Sequence, residues 1–198
     1  MADTPPRDLT LLLQRWTGGD AAALDRIVSE VYAELRSMAT RALSRERTST
    51  IQATVLVHEL YMRLLSLSGG DFENRRAFFG FAAGVMRHIL VDGARTRGAL
   101  KRGGAATRVP LNDDLALVDA TSDNILDLSH AIDELAVMDP RKAELVQLCA
   151  FLGCSRDEAA DLVGVSPRTA TRDLRMARAW LSQRLGRTEP VDERRRPE

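Results

Sequence analysis

Several polar residues of segment 166–185 have the types and spacing needed to bind DNA. On a helical wheel, one side carries Arg168, Thr169, Arg172 and Arg175. From a helix in the major groove, arginine side chains donate hydrogen bonds to base edges and to phosphates. The opposite side is apolar and carries Ala170, Leu174, Ala177, Leu181 and Leu185. The pattern predicts a recognition helix, and the alternative is a solvated basic face on an ordinary helical hairpin.

The residues before this helix predict the rest of a helix-turn-helix. Ser155 is a typical N-cap, and Glu158 three residues later completes a capping box. Gly164 is suited to end that first helix, because glycine adopts a left-handed backbone without steric cost. Ser166 is then expected to cap the second helix, with Pro167 at its first position.

The remaining reactive residue types do not form a catalytic or metal-binding set. The sequence has two cysteines, Cys149 and Cys154, which we expect to be small core residues. His58 and Glu59 begin like a zinc-protease motif, but Met62 stands where the second histidine would be. We therefore expect no catalytic residue, no metal and no cofactor, and the protein is not predicted to be an enzyme.

The formal net charge of the 198-residue chain is zero, but its charges are segregated. Residues 87–108 and 166–187 are strongly basic, the second block having six arginines against one aspartate. Residues 110–135 between them have seven acidic residues and no lysine or arginine. This distribution predicts two surfaces that contact DNA, separated by an acidic segment.

Hydrophobic periodicity predicts helices and no sheet, hence an all-α fold. The predicted helices cover about 6–16, 20–43, 52–67, 74–97, 125–137 and 140–152, followed by the helix-turn-helix. We expect two small helical domains joined by a flexible acidic linker. No apolar run is expected to reach the roughly 18 residues of a membrane span, and the N-terminus lacks the features of a secretory signal. A cytoplasmic location and no membrane association follow as expectations.

Motifs in both predicted domains resemble one family. The N-terminal part contains LVHE at 56–59, Tyr61, Arg63-Leu64, Asn74-Arg75, Phe78-Phe79, Met86-Arg87, ILVD at 89–92, Ala94-Arg95 and KRGG at 101–104. The C-terminal part contains Asp139-Pro140-Arg141, Glu158, GVSP at 164–167, Thr169, Arg172-Asp173 and ARAWL at 177–181. The chain resembles the sigma-70 family of bacterial RNA polymerase sigma factors, in the extracytoplasmic-function (ECF) group and a subgroup with this LVHE, ILVD-AR and KRGG pattern.

The resemblance implies a division of labour along the chain. Residues 7–97 would be sigma region 2, which binds core polymerase and the −10 promoter element. Residues 98–124 would be the linker, and 125–186 would be sigma region 4, which binds the −35 element. Residues 187–198 are expected to be a disordered tail. The implied function is an alternative sigma factor that directs promoter-specific transcription initiation.

The resemblance also assigns residues to each contact. Polymerase contacts fall on Gln52, His58, Glu59 and Arg63, each of which is alternatively a solvated charge or polar group on a core helix, while Leu56, Leu60 and Leu64 are expected in the core. Contacts to the −10 element fall on Asn74, Arg75, Arg76, Phe79, Arg87, His88, Arg95 and Arg97. Contacts to the −35 element fall on Arg168, Thr169, Thr171, Arg172 and Arg175. Of Phe78, Phe79 and Phe81, one is expected to contact DNA and the other two to be core. Asp92 is expected to pair with an arginine one turn away.

The implied partners are core RNA polymerase, through the clamp coiled coil of its largest subunit and the flap of its second-largest subunit, and promoter DNA. An anti-sigma factor or a regulatory kinase is a further candidate partner, and the free protein is expected to be a monomer. The acidic linker either imitates phosphates in the polymerase cleft or is a solvated tether. Two other functions stay open from the residues: a stand-alone helix-turn-helix regulator, and an adaptor that binds polymerase or an inhibitor without touching DNA.

Overall fold

The structure is a computed structural model that describes residues 7–44, 52–67, 72–100 and 122–186. The described residues form eight α-helices and a short π-helical stretch, here called the π segment. They are α1 (Arg7–Thr17), α2 (Ala21–Ser44), α3 (Ala53–Ser66), α4 (Arg75–Leu100), α5 (Ser122–Met138), α6 (Pro140–Gln147), the π segment (Leu148–Leu152), α7 (Arg156–Val163) and α8 (Pro167–Gly186). The prediction of an all-α fold is confirmed.

The N-terminal half, α1–α4, is organised around the apolar stripe of α2. Leu24, Ile27, Val31, Leu35 and Met38 recur at helical spacing and are all buried. An aromatic cluster extends this core towards the start of α4: Trp16 stacks on Phe72 at 5.7 Å, and Phe72 meets Phe78 edge-on at 5.9 Å. These contacts fix the N-terminal end of α4, where several of the predicted DNA contacts lie.

Helix α4 is more apolar than the sequence prediction allowed. The stretch Arg75–Thr96 has a mean hydropathy of 1.2 and is long enough to cross a membrane, but half of its most apolar window is buried inside the protein. Phe78, Met86 and Leu90 of this stretch lie in the core. The expectation that no run reaches this length was therefore wrong. Because its apolar side chains face other helices, we assign α4 as the central helix of the fold.

In the C-terminal half, α5–α8, the boundaries follow the predicted caps. Asp139 caps α6 by accepting a hydrogen bond from the Lys142 amide at 3.0 Å, with Pro140 at the first helical position. The helix that follows was predicted to run unbroken to 152, but its last five residues form the π segment, all of them buried. Gly153 ends the segment in a left-handed conformation, φ 82°.

The cap at Asp139 gives a testable pH dependence. Hydrogen bonds from the Lys142 side chain and backbone lower the pKa of Asp139 from its ordinary value of 3.8. Because the folded-state pKa is depressed, its stabilisation is present above about pH 4 and is lost as the pH falls through the folded pKa. Asp139→Asn keeps the cap without the charge, so we expect a shallower loss of stability in acid than in wild type. Acid-unfolding curves followed by circular dichroism measure this, and identical curves would contradict it.

The two halves pack against each other and share one buried core. Helix α4 lies against α5, α6, α7 and the π segment, and α2 lies against the π segment. Helix α4 continues to Leu100 and α5 already begins at Ser122, so each extends into the segment predicted as linker. Residues 101–121 of that linker and the predicted tail, 187–198, lie outside the described residues.

Candidate nucleic-acid and polymerase interfaces

The helix-turn-helix has the local geometry that its sequence predicts. Ser155 Oγ accepts from the Glu158 amide at 3.2 Å, and the Glu158 carboxylate accepts from the Ser155 amide at 2.7 Å, which is a complete capping box. Gly164 ends α7 in a left-handed conformation, φ 76°. Ser166 Oγ accepts from the Thr169 amide at 3.1 Å and so caps α8. These bonds fix the angle at which α8 leaves the turn.

The residues predicted to read the −35 element share one surface. Arg168, Thr169, Thr171, Arg172 and Arg175 line a single depression on α8. All are exposed except Thr169, which is half-buried and whose hydroxyl bonds to that of Ser166 at 2.8 Å. The apolar side of α8 faces inwards, with Ala170, Leu174, Ala177 and Leu181 buried. The basic surface of α8 therefore lies on a helix whose opposite side is packed in the core.

The residues predicted for the −10 element separate into groups along α4. Asn74, His88 and Arg95 are exposed and are spaced at multiples of seven residues, so they follow one face of the helix. Asn74 also caps α4, accepting from the Ala77 amide at 3.0 Å. Asp92 pairs with Arg95 at 3.2 Å and with His88 at 2.9 Å, which confirms the prediction that it partners an arginine one turn away. We call this face the open track.

Three other predicted arginines are held by protein carboxylates. Arg75 pairs with Glu34 of α2, and its guanidinium lies over the Phe79 ring at 4.5 Å. Arg76 and Arg87 turn instead towards the C-terminal half, where each forms an ion pair. The charges are therefore present as predicted, but these three arginines each pair with a carboxylate of another helix, whereas the pairs of the open track lie within α4. Arg97 lies in α4, and its side chain is outside the described part of the structure.

The prediction that Phe79 contacts DNA does not fit its position. Phe79 is completely buried, with its ring centre 5.4 Å from that of Phe78 in an edge-to-face contact and with Arg75 over its face. A ring without exposed surface cannot stack on a base, so Phe79 is a core residue. Phe81 is the half-buried member of the three, packing on Phe72 at 5.2 Å.

Helix α3 presents the four residues predicted to contact polymerase. Gln52, at its N-cap, and His58, Glu59 and Arg63 are all exposed, while Leu56, Leu60 and Leu64 are buried as predicted. The structure adds an apolar element that sequence analysis missed: Val55, Met62 and Leu65 are each about half exposed beside these polar residues. We call Val55, Met62 and Leu65 the α3 apolar stripe. Its spacing is helical, but an apolar residue on such a helix is expected to be core, so the pattern alone gave no signal of exposure.

Comparison with known proteins decides the family. Residues 6–187 match the family model of ECF sigma factors, which covers both halves of the structure. The protein belongs to the ECF sigma factor family. No curated protein and no solved structure matches the sequence. The narrower subgroup suggested by the LVHE, ILVD-AR and KRGG motifs stays a prediction.

Membership gives this ECF sigma factor its general role. It is a non-enzymatic regulatory protein, an alternative sigma factor that directs transcription initiation together with core RNA polymerase at promoter DNA. The basic surface of α8, the open track of α4 and the exposed face of α3 are solvent-exposed in the described structure.

In this ECF sigma factor, a buried carboxylate of α8 binds α6 beneath the basic surface. Asp173 on α8 is 1% exposed, and its carboxylate accepts from Arg141 of α6 at 2.8 and 3.0 Å. It also lies 3.4 Å from Nε of the neighbouring Arg172. Because a buried carboxylate needs such partners, Asp173 ties α8 to α6 next to a residue predicted to read DNA.

We expect Asp173→Asn to destabilise the C-terminal half by about 1–3 kcal/mol, because it removes a buried charged hydrogen-bond acceptor. Promoter binding should fall with it, since the bond from Arg141 of α6 to α8 loses the charge of its acceptor. Urea unfolding and gel shift with core polymerase measure the two effects. Asp161→Asn on the exposed side of α7 makes the same chemical change and should leave both unaltered. Equal stability of Asp173→Asn and wild type would contradict the expected support.

Proposed function

We propose that this chain binds core polymerase through α3, reads the −35 duplex with α8 and binds the −10 element with the open track of α4. The observation that carries the proposal is the basic surface of α8. The five residues predicted from the sequence line one depression there, and the helix that presents them is capped and buried on its opposite side. In this proposal residues 7–97 act as region 2, 125–186 as region 4, 98–124 as the linker and 187–198 as a tail. The site of action is the cytoplasm.

Three features of the described residues support the separate contacts. Duplex DNA in its major groove accepts a rigid helix whose arginines reach bases and phosphates, as on α8. Unpaired DNA needs cations along its backbone, which His88, when protonated, and Arg95 supply on the open track. A protein interface needs apolar area within a polar rim, which the α3 apolar stripe supplies beside His58 and Glu59.

Copurification with core polymerase, followed by run-off transcription from promoter DNA, tests this function. We expect the chain to coelute with core enzyme and to direct initiation at a defined start site, and we expect little sequence-specific DNA binding without core enzyme. A stand-alone regulator would instead bind a specific site tightly by itself. An adaptor would coelute with polymerase without directing initiation. Either result would overturn the proposal.

The α3 contact is tested separately by Met62→Glu, which places a charge in the α3 apolar stripe. Because Met62 is about half exposed, we expect the fold to be retained and coelution with core polymerase to be lost. Met176 is about equally exposed, on α8, and Met176→Glu is the matched control for binding to core enzyme. Coelution that survives Met62→Glu would remove the stripe from the interface.

A further inference from the structure

The DNA-facing helix α8 contains one carboxylate that is enclosed by the protein. Asp173 is 1% exposed and is the only buried charged side chain among the described residues. An exposed carboxylate on this helix would repel the phosphates of DNA, whereas a buried one needs partners inside the protein. What Asp173 does for α8 therefore depends on the groups that its two oxygens bind.

Each oxygen of Asp173 faces a different arginine. Oδ2 accepts from Nε and Nη2 of Arg141 on α6, at 3.0 and 2.8 Å. Oδ1 lies 3.4 Å from both Nε and Nη2 of Arg172, whose side chain is 56% exposed. We call these three residues the Asp173 bridge. The bridge connects α6, on the packed side of α8, to an arginine on the side predicted to face DNA.

The contact with Asp173 determines which edge of the Arg172 guanidinium faces outwards. A guanidinium is planar and has five N–H donors in a fixed arrangement. Because Nε and one side of Nη2 are turned towards Oδ1 of Asp173, the remaining pair of donors, on Nη1 and Nη2, is turned away from it. Two parallel donors on one edge match a partner with two neighbouring acceptors.

Among the base edges in the major groove, guanine is the one that matches this pair of donors. Guanine presents two acceptors, N7 and O6, whereas adenine presents one acceptor beside a donor, thymine one acceptor beside a methyl group, and cytosine a donor. Arg172 lies in the N-terminal third of α8, which is the part of a recognition helix that contacts base edges. Its outward edge is therefore suited to select guanine.

The other two arginines of the surface are not held in this way. Arg168 and Arg175 are exposed in the same depression, and no carboxylate in the described part of the chain pairs with either of them. An arginine without such a partner loses more side-chain freedom when it binds a single acceptor. Arg172 is already oriented before DNA binds, so the entropic cost of reading one base is lower.

The Asp173 bridge orients Arg172 without cancelling its positive charge. Arg141 and Arg172 are each paired with the same carboxylate, so the three side chains together keep one positive charge. Since Arg141 offsets the carboxylate from the α6 side, the charge that remains lies towards the DNA-facing surface. The bridge is therefore compatible with binding to a polyanion.

We propose that Arg172 selects a guanine in the −35 duplex and that Asp173, held by Arg141, is the positioning residue for this selection. The proposal rests on the proposed function, in which α8 reads the −35 element. Loss of the carboxylate then reduces selectivity at one base pair, in addition to the stability lost from the contact between α6 and α8.

Base selectivity of the complex with core polymerase tests the proposal. Filter binding is measured on duplexes of the promoter mapped by run-off transcription, with each of the four base pairs at every −35 position. We expect wild type to prefer guanine at one position by at least about fivefold, the lower limit for a bidentate base contact. Arg172→Ala should bind all four variants of that position equally. Asp173→Asn should lose most of the same preference, and both should keep the wild-type preferences elsewhere.

Asp139→Asn is the matched control, because it makes the same chemical change at the cap of α6, where the carboxylate binds Lys142 of that helix. It should change the affinity for all duplexes by one common factor and keep the preference for guanine. If circular dichroism shows that Asp173→Asn does not fold, Arg141→Lys replaces it. This variant keeps the positive charge beside Asp173 but removes the two-donor edge that fixes the carboxylate, and it should lose part of the preference for guanine.

Several results would overturn the proposal. An equal loss on all duplexes in Arg172→Ala would make Arg172 a phosphate contact. A preferred base other than guanine at the Arg172-dependent position, or full preference for guanine in the bridge variant, would exclude the selection or its positioning. Tighter binding by Asp173→Asn would mean that the carboxylate withholds Arg172 from DNA. In each case a wild type that directs run-off transcription leaves the proposed function intact, whereas a wild type that directs none contradicts both.

Discussion

Replacing Arg168 and Arg175 together with alanine is expected to weaken formation of the closed promoter complex by at least about tenfold, because a base contact contributes about 1–3 kcal/mol. Both residues are exposed on a helix whose opposite side is buried, so the substitutions remove the proposed DNA contacts without opening the core. A template with a pre-melted −10 region should partly restore transcription, since it bypasses part of the work of opening. Filter binding with core polymerase measures the first effect and run-off transcription the second.

The companion variant, His88→Ala with Arg95→Ala, should have the reverse phenotype. Each residue is more than half exposed on the open track, and neither holds the two halves together. We expect duplex binding to be retained and strand opening to be impaired, as measured by permanganate reactivity of unpaired thymines. If both double variants lost binding and opening in equal proportion, and pre-melting rescued neither, the division of labour between α8 and α4 would be wrong.

Replacing Phe79 with alanine is expected to lower the free energy of unfolding by about 3–5 kcal/mol, because it leaves a cavity under α4. Phe79 is completely buried, and Arg75 also loses the ring beneath its guanidinium. Urea unfolding measures the loss. Phe81→Ala is the control: it removes the same atoms at a half-buried position and should cost less.

The same variant distinguishes a core role from a DNA-binding role. If Phe79→Ala folded with nearly wild-type stability and failed specifically in strand opening, its assignment to the core would be wrong. The ring would then have to leave the core when DNA binds.

The features predicted best from sequence are those whose causes are local. The capping box of Ser155 and Glu158, the left-handed Gly164 and the cap at Ser166 each depend on residues within four positions of one another. Helix boundaries and the buried side of α8 follow for the same reason, because helical periodicity needs no knowledge of the rest of the chain.

The association of the two halves could not be predicted from the sequence. Arg41 and Glu158 are 117 positions apart, and neither residue type indicates a partner at that distance. The close fit of Gly153 against Met38 depends on where α2 passes, which no local pattern contains. Arg76 and Arg87 were predicted to contact the −10 element, and the carboxylates with which they pair in the structure lie in the other half.

It was equally hard to predict from the sequence which phenylalanines at the start of α4 are buried. Phe78, Phe79 and Phe81 have the same side chain, and helical spacing alone places two of them on similar faces. Their surroundings come from distant parts of the chain: Phe72, which precedes α4, packs against both Phe78 and Phe81, whereas Phe79 packs against Phe78. In the α3 apolar stripe the opposite occurs: Val55, Met62 and Leu65 are apolar but about half exposed, because no helix of the described structure covers them.

The partial exposure of the bonds between the halves means that dissolved salt acts on this protein in two ways. The side chains of Arg41 and Glu158 are 36% and 38% exposed, so added ions screen their attraction and favour separation of the halves. The same ions compete with arginine for phosphate and weaken binding to DNA. Raising the ionic strength therefore weakens the contact between the halves and the attraction for DNA together. Both the stability of the contact between the halves and the affinity for DNA should consequently fall steadily as the ionic strength rises.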